Sequence, residues 1–229
     1  MRNNLSQLIS LSKIEEKLYR PADAYELSRV TRMEHVKTTI VETPQEGIAA
    51  VAARIAQLIN RREANGQKTV LSLASGRSMR DLFVELVRLH KEEGLSFKNV
   101  VVFGSYEFYP LSDTTSGSMA QIQSQLLEHV DILPENVHTF PGDLPKEDVF
   151  AFCEEYEKAI VEAGGIDVQV LGIGQCGNIA MNEPGTQPNS STRLVIMDGN
   201  SRVDVKSLFG NVAQVPTCAI TLGVETILQ

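Results

Sequence analysis

Apolar residues recur along the chain in two rhythms. From Glu46 to Asn65, and again from about Met79 to Glu93, they stand three or four residues apart, which predicts amphipathic helices. Between and after these lie short unbroken apolar runs ending in small residues: KTVLSLAS (68–75), KNVVVFGSY (98–106) and IDVQVLGIG (166–174). A strand covered by helices on both faces has no polar face to alternate, so such runs read as buried strands. ENVHTF (135–140) predicts a further strand, TTIVE (38–42) a short one, and residues 193–198 and 217–222 two more. Helices are expected from about Met119 to His129 and over residues 146–163, with a loop rich in Ser, Thr, Asp and Gly at 112–118. Strands alternating with helices predict an α/β domain over residues 37–229, built on a parallel sheet with helices on both faces. Residues 1–36 carry the charged stretches SKIEEKLYR and DAYELSRVTRMEH, broken by Pro21, and predict an N-terminal helical extension used for packing or docking.

Composition narrows the partners. Of 229 residues 42% are hydrophobic and 22% charged, and the net charge is −8. A negative surface disfavours nucleic acid or an anionic membrane as partner, so an anionic ligand must be met by a local device. The cysteines, Cys153, Cys176 and Cys218, are three and well separated, with no CxxC. That argues against a disulfide framework or a zinc site and fits a reducing cytoplasm; neither a metal nor a cofactor is implied. The start MRNNLSQLISLSKIEEK lacks the apolar core and cleavage site of a secretory signal, and no run approaches the roughly 18–20 residues of a membrane helix.

Open parallel sheets bind ligands at the carboxyl ends of their strands. Three stretches occupy such places: SGRS after residue 74, FGSYEFY after residue 102 and GIGQCGN after residue 171. Ser75-Gly76-Arg77-Ser78 joins a strand to a helix, where free amides and two hydroxyls make a small anion cradle or a plain capping turn. Arg77 either adds charge there or points to solvent. The stretch is no Walker loop, because the spacing and the lysine are absent. Gly172 to Gly177 superficially matches GxGxxG, but it follows a late strand and has only Asp198 as a rough acidic partner. It reads better as a tight turn bringing backbone, Gly174 included, close to a small ligand than as a dinucleotide fingerprint. Beyond it, Pro184 stiffens the Asn182-Glu183-Pro184 corner, which sets Glu183 near the glycine loop or leaves it a solvated carboxylate. His35, His90, His129 and His138 read as packing or solvated side chains.

From about Val41 to Gln229 the chain resembles glucosamine-6-phosphate deaminases, also called isomerases, with 6-phosphogluconolactonases and ribose-5-phosphate isomerases as wider relatives. The residues that carry the resemblance are LSLASGRS, HKEEGLSFKNVVVF, LLEHVDILPENVHTF, GIGxxGxIAxNEP, Ser191-Thr192-Arg193 and VPTCAITLGVETIL. It implies a three-layer Rossmann-like fold and a small-molecule sugar phosphate as partner. The activity it implies is an aldose–ketose isomerisation that releases ammonia and yields fructose 6-phosphate. In the family a carboxylate after the second strand moves the proton, and a histidine in the glycine loop opens the ring with an aspartate and a glutamate. The matching positions here hold Tyr106 (with Glu107 next to it), Asn178 and Cys176; only Glu183 keeps its type. An asparagine holds a hydroxyl but relays no proton at pH 7.

The binding positions are better kept. Ser75, Gly76 and Ser78 match the phosphate turn, with Arg77 in place of a second glycine; Arg193 matches an anion-contacting arginine, and Ser118 a serine of the loop after the second strand. Two readings stay open: an enzyme working through Glu107 and Glu183, or a sugar-phosphate-binding or regulatory domain of a longer protein. A lactonase-like hydrolase is disfavoured by Asn178. The family continues beyond the position of Gln229 with a strand and a helix, so a homo-oligomer or a fused downstream domain is expected to cover the sheet.

Overall fold

The computed structural model describes residues 38–229 and, before them, only 23–25, 28 and 32; the rest of the expected N-terminal extension lies outside the described residues. The chain divides into two compact units, Met1–Gly47 and Ile48–Gln229. In the first, residues 38–41 form no strand, and Ile40 is 68% exposed, so the short alternation does not bury its apolar side chain there. Thr43 instead opens helix α1 (Pro44–Ala64). Its hydroxyl accepts from the Glu46 amide at 3.3 Å, while the Glu46 carboxylate reaches back to the amide of Glu42, close to a capping box.

The second unit carries a parallel sheet of four strands in the order β4–β2–β1–β5. These are β1 (Thr69–Leu73), β2 (Val100–Gly104), β4 (Val137–His138) and β5 (Val168–Val170). In register, Val70 lies beside Val101, and Leu71 beside both Val102 and Val168. Although every residue of β1 and β2 is buried, the two faces serve different layers. Leu71, Leu73, Val100 and Val102 pack against Ile55 and Ile59 of α1, against Leu82, Phe83 and Leu86 of α2 (Arg77–Glu93), and against Ile122 of α3 (Ser118–Gln125). Val70, Val101 and Phe103 pack beneath Val149, Cys153, Tyr156 and Ile160 of α4 (Val149–Glu162). Burial of each large side chain in these layers contributes about 1.5–3 kcal/mol.

One feature departs from a single parallel sheet. Strands β3 (Tyr106–Tyr109), β7 (Cys218–Thr221) and β6 (Arg193–Ile196) form a separate antiparallel sheet in the order β3–β7–β6. The apolar run that begins in β2 therefore serves two sheets. Its switch point is Ser105, whose amide donates to Leu73 and whose carbonyl accepts from Leu222, so the chain changes neighbours at that residue. Several elements are also shorter than the apolar pattern suggests. Strand β4 keeps two residues, and the helix expected to reach His129 ends at Gln125 before a 3₁₀ turn over Leu127–His129. A short helix α5 (Gly199–Val205), capped by the Asp198 carboxylate on the Asn200 amide at 2.8 Å, has too few residues to show a helical period.

Candidate active site

The carboxyl end of β1 leads through Ala74-Ser75-Gly76 directly into α2. Gly76 takes φ +130°, a conformation L side chains avoid, at the turn from strand into helix. Gly76 has no side chain to cap that end, among the described residues no other side chain accepts from its first amides, and its first turn holds no acidic residue. The Met79 amide bonds the Gly76 carbonyl at 3.1 Å, and the amides of Arg77 and Ser78 at the positive end of this 17-residue helix meet no side-chain acceptor among the described residues. Opposite stands the loop that leaves β5. It is closed by bonds from the Gly174 amide to the Asn178 carbonyl and from the Gly177 amide to the Gly174 carbonyl, both 2.9 Å. A Cβ on Gly174 would lie 2.1 Å from Asn178 Oδ1, so a side chain here would displace Asn178. Ser78 Oγ lies 3.9 Å from where a Cβ of Gly172 would stand, which sets the first turn of α2 across from the glycine loop.

Between them lies a cavity of about 210 Å³, lined by Ser75–Ser78, Tyr106, Gly172–Gln175, Asn178, Met181 and Asp204 among others. Tyr106 is part of that lining and is buried. The phenol bonds Ser75 Oγ at 2.9 Å and the Ser75 carbonyl at 3.3 Å, and burial pushes its pKa up, so it stays protonated at neutral pH. Asn178 donates from Nδ2 to the Ala180 carbonyl at 3.1 Å, and Ala180 itself is held at φ +48°. Such a conformation in a non-glycine residue marks a turn that its surroundings overdetermine.

The structure separates the remaining residues singled out in the sequence. Glu107 follows Tyr106 on β3 and therefore faces the other way. Its carboxylate, 3% exposed, accepts from the amides of Phe108 at 2.8 Å, Ser118 at 2.7 Å and Met119 at 2.9 Å, beside a different cavity bordered by Leu111, Met119 and Phe140. Burial raises its pKa, against the pull of the three amides. Ser118 is fully buried and offers Glu107 its backbone. Cys176 lines an adjoining hollow with Arg77, Asp204 and Lys206 rather than the cavity itself.

Glu183 and Arg193 also stand off the cavity lining. Glu183 accepts the Asp198 amide at 3.2 Å through Oε1, while its buried Oε2 has no hydrogen-bond partner. Arg193 donates to Asn182 Oδ1 at 3.0 Å and to the Ser191 carbonyl at 3.2 Å, and burial lowers its pKa. Asn182 in turn donates to the Leu222 carbonyl at 2.8 Å, which ties this corner to the antiparallel sheet. Asp204 of α5 enters the cavity without having been anticipated. Its Oδ1 accepts from Gln175 Nε2 at 2.9 Å and lies 3.4 Å from an Arg77 guanidinium nitrogen. Nothing local in the sequence ties it to Arg77, 127 positions away. Among the described residues no group of three or more His, Cys, Asp or Glu side chains is placed to hold a metal, and no helix is long and apolar enough to cross a membrane.

The family model for glucosamine-6-phosphate isomerases/6-phosphogluconolactonase matches residues 42–206. A glucosamine-6-phosphate deaminase-like protein of Bacteroides thetaiotaomicron is 44% identical over 229 residues, covering 100% of this chain and 34% of that protein. The chain thus spans about a third of that relative's length. Glucosamine-6-phosphate deaminase of Bacillus pumilus is 39% identical over 179 residues, covering 76% of this chain and 72% of the relative. Among solved structures, a monomeric glucosamine-6-phosphate deaminase superposes with a TM-score of 0.77 at 32% identity, covering 84% of this chain and 78% of that one. The 6-phosphogluconolactonase of Trypanosoma brucei shares the fold alone, with a TM-score of 0.62 at 20% identity over 83% of this chain and 77% of that one. With the family model spanning most of the chain, and with a parallel sheet whose glycine loop faces an uncapped helix end, the protein belongs to the glucosamine-6-phosphate isomerase/6-phosphogluconolactonase family as a deaminase-like domain.

Proposed function

We propose that this domain binds a hexosamine 6-phosphate in the cavity between α2 and the glycine loop, and that it binds without turning its ligand over. The phosphate is received by the amides of Arg77 and Ser78, with the hydroxyls of Ser75 and Ser78 beside them. The sugar lies along Gly172–Gly174, where backbone approaches closely, and Asn178 holds a hydroxyl. The observation that carries this reading is the uncapped, acid-free first turn of α2 opening onto that loop across a cavity.

Proton transfer between two carbons needs a group within hydrogen-bond reach that titrates near neutral pH. Of the cavity-lining side chains, Tyr106 is held protonated and Asn178 is an amide, which leaves Asp204 as the cavity's carboxylate, engaged through Oδ1 by Gln175 and Arg77. Glu107 would have to leave three amides and cross the strand to take part. The relatives' names favour a second reading, deamination, which in this chain would have to run through Glu107 and Glu183. The three cysteines stand free, which agrees with a reducing, cytoplasmic setting.

Calorimetric titration of glucosamine 6-phosphate into the protein, with ammonia assayed in the same samples, tests the reading. Discrete saturable heats with no ammonia are expected. Sustained power accompanied by ammonia would establish turnover and overturn the binding-only reading, and no heat would remove the pocket itself.

A further inference from the structure

The cavity holds one carboxylate, and it sits where an anion cradle alone would not want it. Asp204 lies on the same cavity wall system as the amides of α2, and its side chain is 28% exposed. Both of its donors, Gln175 Nε2 and Arg77, land on Oδ1, and among the described residues no donor reaches Oδ2. The Arg77 partner is held loosely: its side chain is 83% exposed and the contact is 3.4 Å. Exposed pairs of this geometry are exchangeable, because solvent screens them and nothing holds the long side chain in place. The cavity is therefore bipolar, with a helix end and a guanidinium for a negative group and a half-engaged carboxylate for a positive one.

We propose that Asp204 is a specificity-determining residue that selects a free amino group on the phosphosugar. When the ligand binds, its phosphate draws Arg77 toward the α2 end, and Asp204 receives the ligand's ammonium through the oxygen that has no donor. A neutral sugar phosphate offers that oxygen no charged donor. An acidic sugar phosphate sets a second carboxylate against it, a like-charge contact that costs binding directly. This assignment rests on the cavity being the phosphosugar site. It adds which member of that class is preferred and which residue decides it.

The test compares glucosamine 6-phosphate, glucose 6-phosphate and 6-phosphogluconate by calorimetry against the native chain and the Asp204→Asn and Asp204→Ser variants, each checked for folding by its thermal melt. A hydrogen bond to a charged group is worth about tenfold in affinity. The native chain should bind the amino sugar about tenfold tighter than glucose 6-phosphate, with 6-phosphogluconate weakest. Either variant should bring all three within about twofold of one another, chiefly by losing affinity for the amino sugar and gaining it for the acid. A preference that survives in both variants, or a native chain that binds all three equally, overturns the role of Asp204 and leaves the pocket standing. If none of the three binds the native chain, the pocket falls and this assignment with it.

Discussion

Two helices each begin just after a glycine, and they treat their amino ends in opposite ways. At α2 the residue before the helix is Gly76, the first turn carries no acid and no side chain caps it, and the amides open onto a cavity. At α3 the residue before the helix is Gly117, and the Glu107 carboxylate already takes the amides of Ser118 and Met119 at 2.7 and 2.9 Å. So tightly is that carboxylate seated that a Cβ on Gly117 would stand 2.7 Å from its Oε2. The backbone offers the same partial charge in both places. At α3 the Glu107 carboxylate occupies the amides that an anion would need, whereas at α2 no carboxylate accepts from the first amides among the described residues, which is what the proposed anion site requires. This also explains why adjacent residues diverge in role: Tyr106 serves the open end and Glu107 the closed one, since alternate residues of a strand face opposite sides.

The sharpest way to break this contrast is to make α2 resemble α3. Ser78→Asp places a carboxylate in its first turn and should weaken glucosamine 6-phosphate binding by about 100-fold or more, since like charges placed together cost several kcal/mol. The same change should leave stability equal or raise it by about 0.3–1 kcal/mol through the helix dipole. Calorimetry with a thermal melt reads both, and unchanged binding would remove the α2 end from the site.

Gly174→Ala attacks the opposite wall, where the new Cβ must displace Asn178 from its bond to Ala180. A cost of about 1–3 kcal/mol is expected, felt as a roughly tenfold loss of affinity with a smaller loss in urea-unfolding stability. Wild-type affinity in that variant would mean that Asn178 does not touch ligand.

Glu107→Gln keeps the volume but puts an amide where three donors expect a carboxylate. It should lower stability by about 1–2 kcal/mol and leave sugar-phosphate affinity within about twofold, because its contacts lie in the other cavity. A large loss of affinity, or loss of a measurable ammonia release, would restore Glu107 to the chemistry.

The smallest effect is in pH. Burial raises the Glu107 pKa above its ordinary 4.5, so the stability linked to its protonation is fully present below that value. It is lost as pH rises through the folded-state value. The stability advantage of the native chain over Glu107→Gln should therefore shrink as pH is raised from below 4.5 through the folded-state pKa, as measured by chemical unfolding. An advantage that grew with pH would mean that the three amides outweigh burial.

Much of this architecture was legible in the residues. The α2 helix and the cores of β1, β2 and β5 lie inside the stretches marked by apolar rhythm, and the SGRS and GIGQCGN turns fall at strand ends as the α/β pattern requires. The strand expected at 38–42 failed because alternation of five residues says nothing about whether a second layer exists to cover it. The second sheet was hidden for a related reason. VVVFGSYEFY is apolar or small almost throughout, so no change of rhythm marks Ser105, where the chain passes from one sheet to the other.

Local patterning by itself determined which segments of this protein are buried, what regular form they take and where glycine permits sharp turns. It does so because periodicity, propensity and backbone freedom act over a few residues. Which way Glu107 faces, and that Asp204 shares a cavity with Arg77, were decided only by tertiary structure. The first depends on β3 pairing with β7, more than a hundred residues later, and the second on α5 folding back across the glycine loop. Contacts of such separation are set by closure of the whole chain around two sheets, and no window of sequence contains both partners.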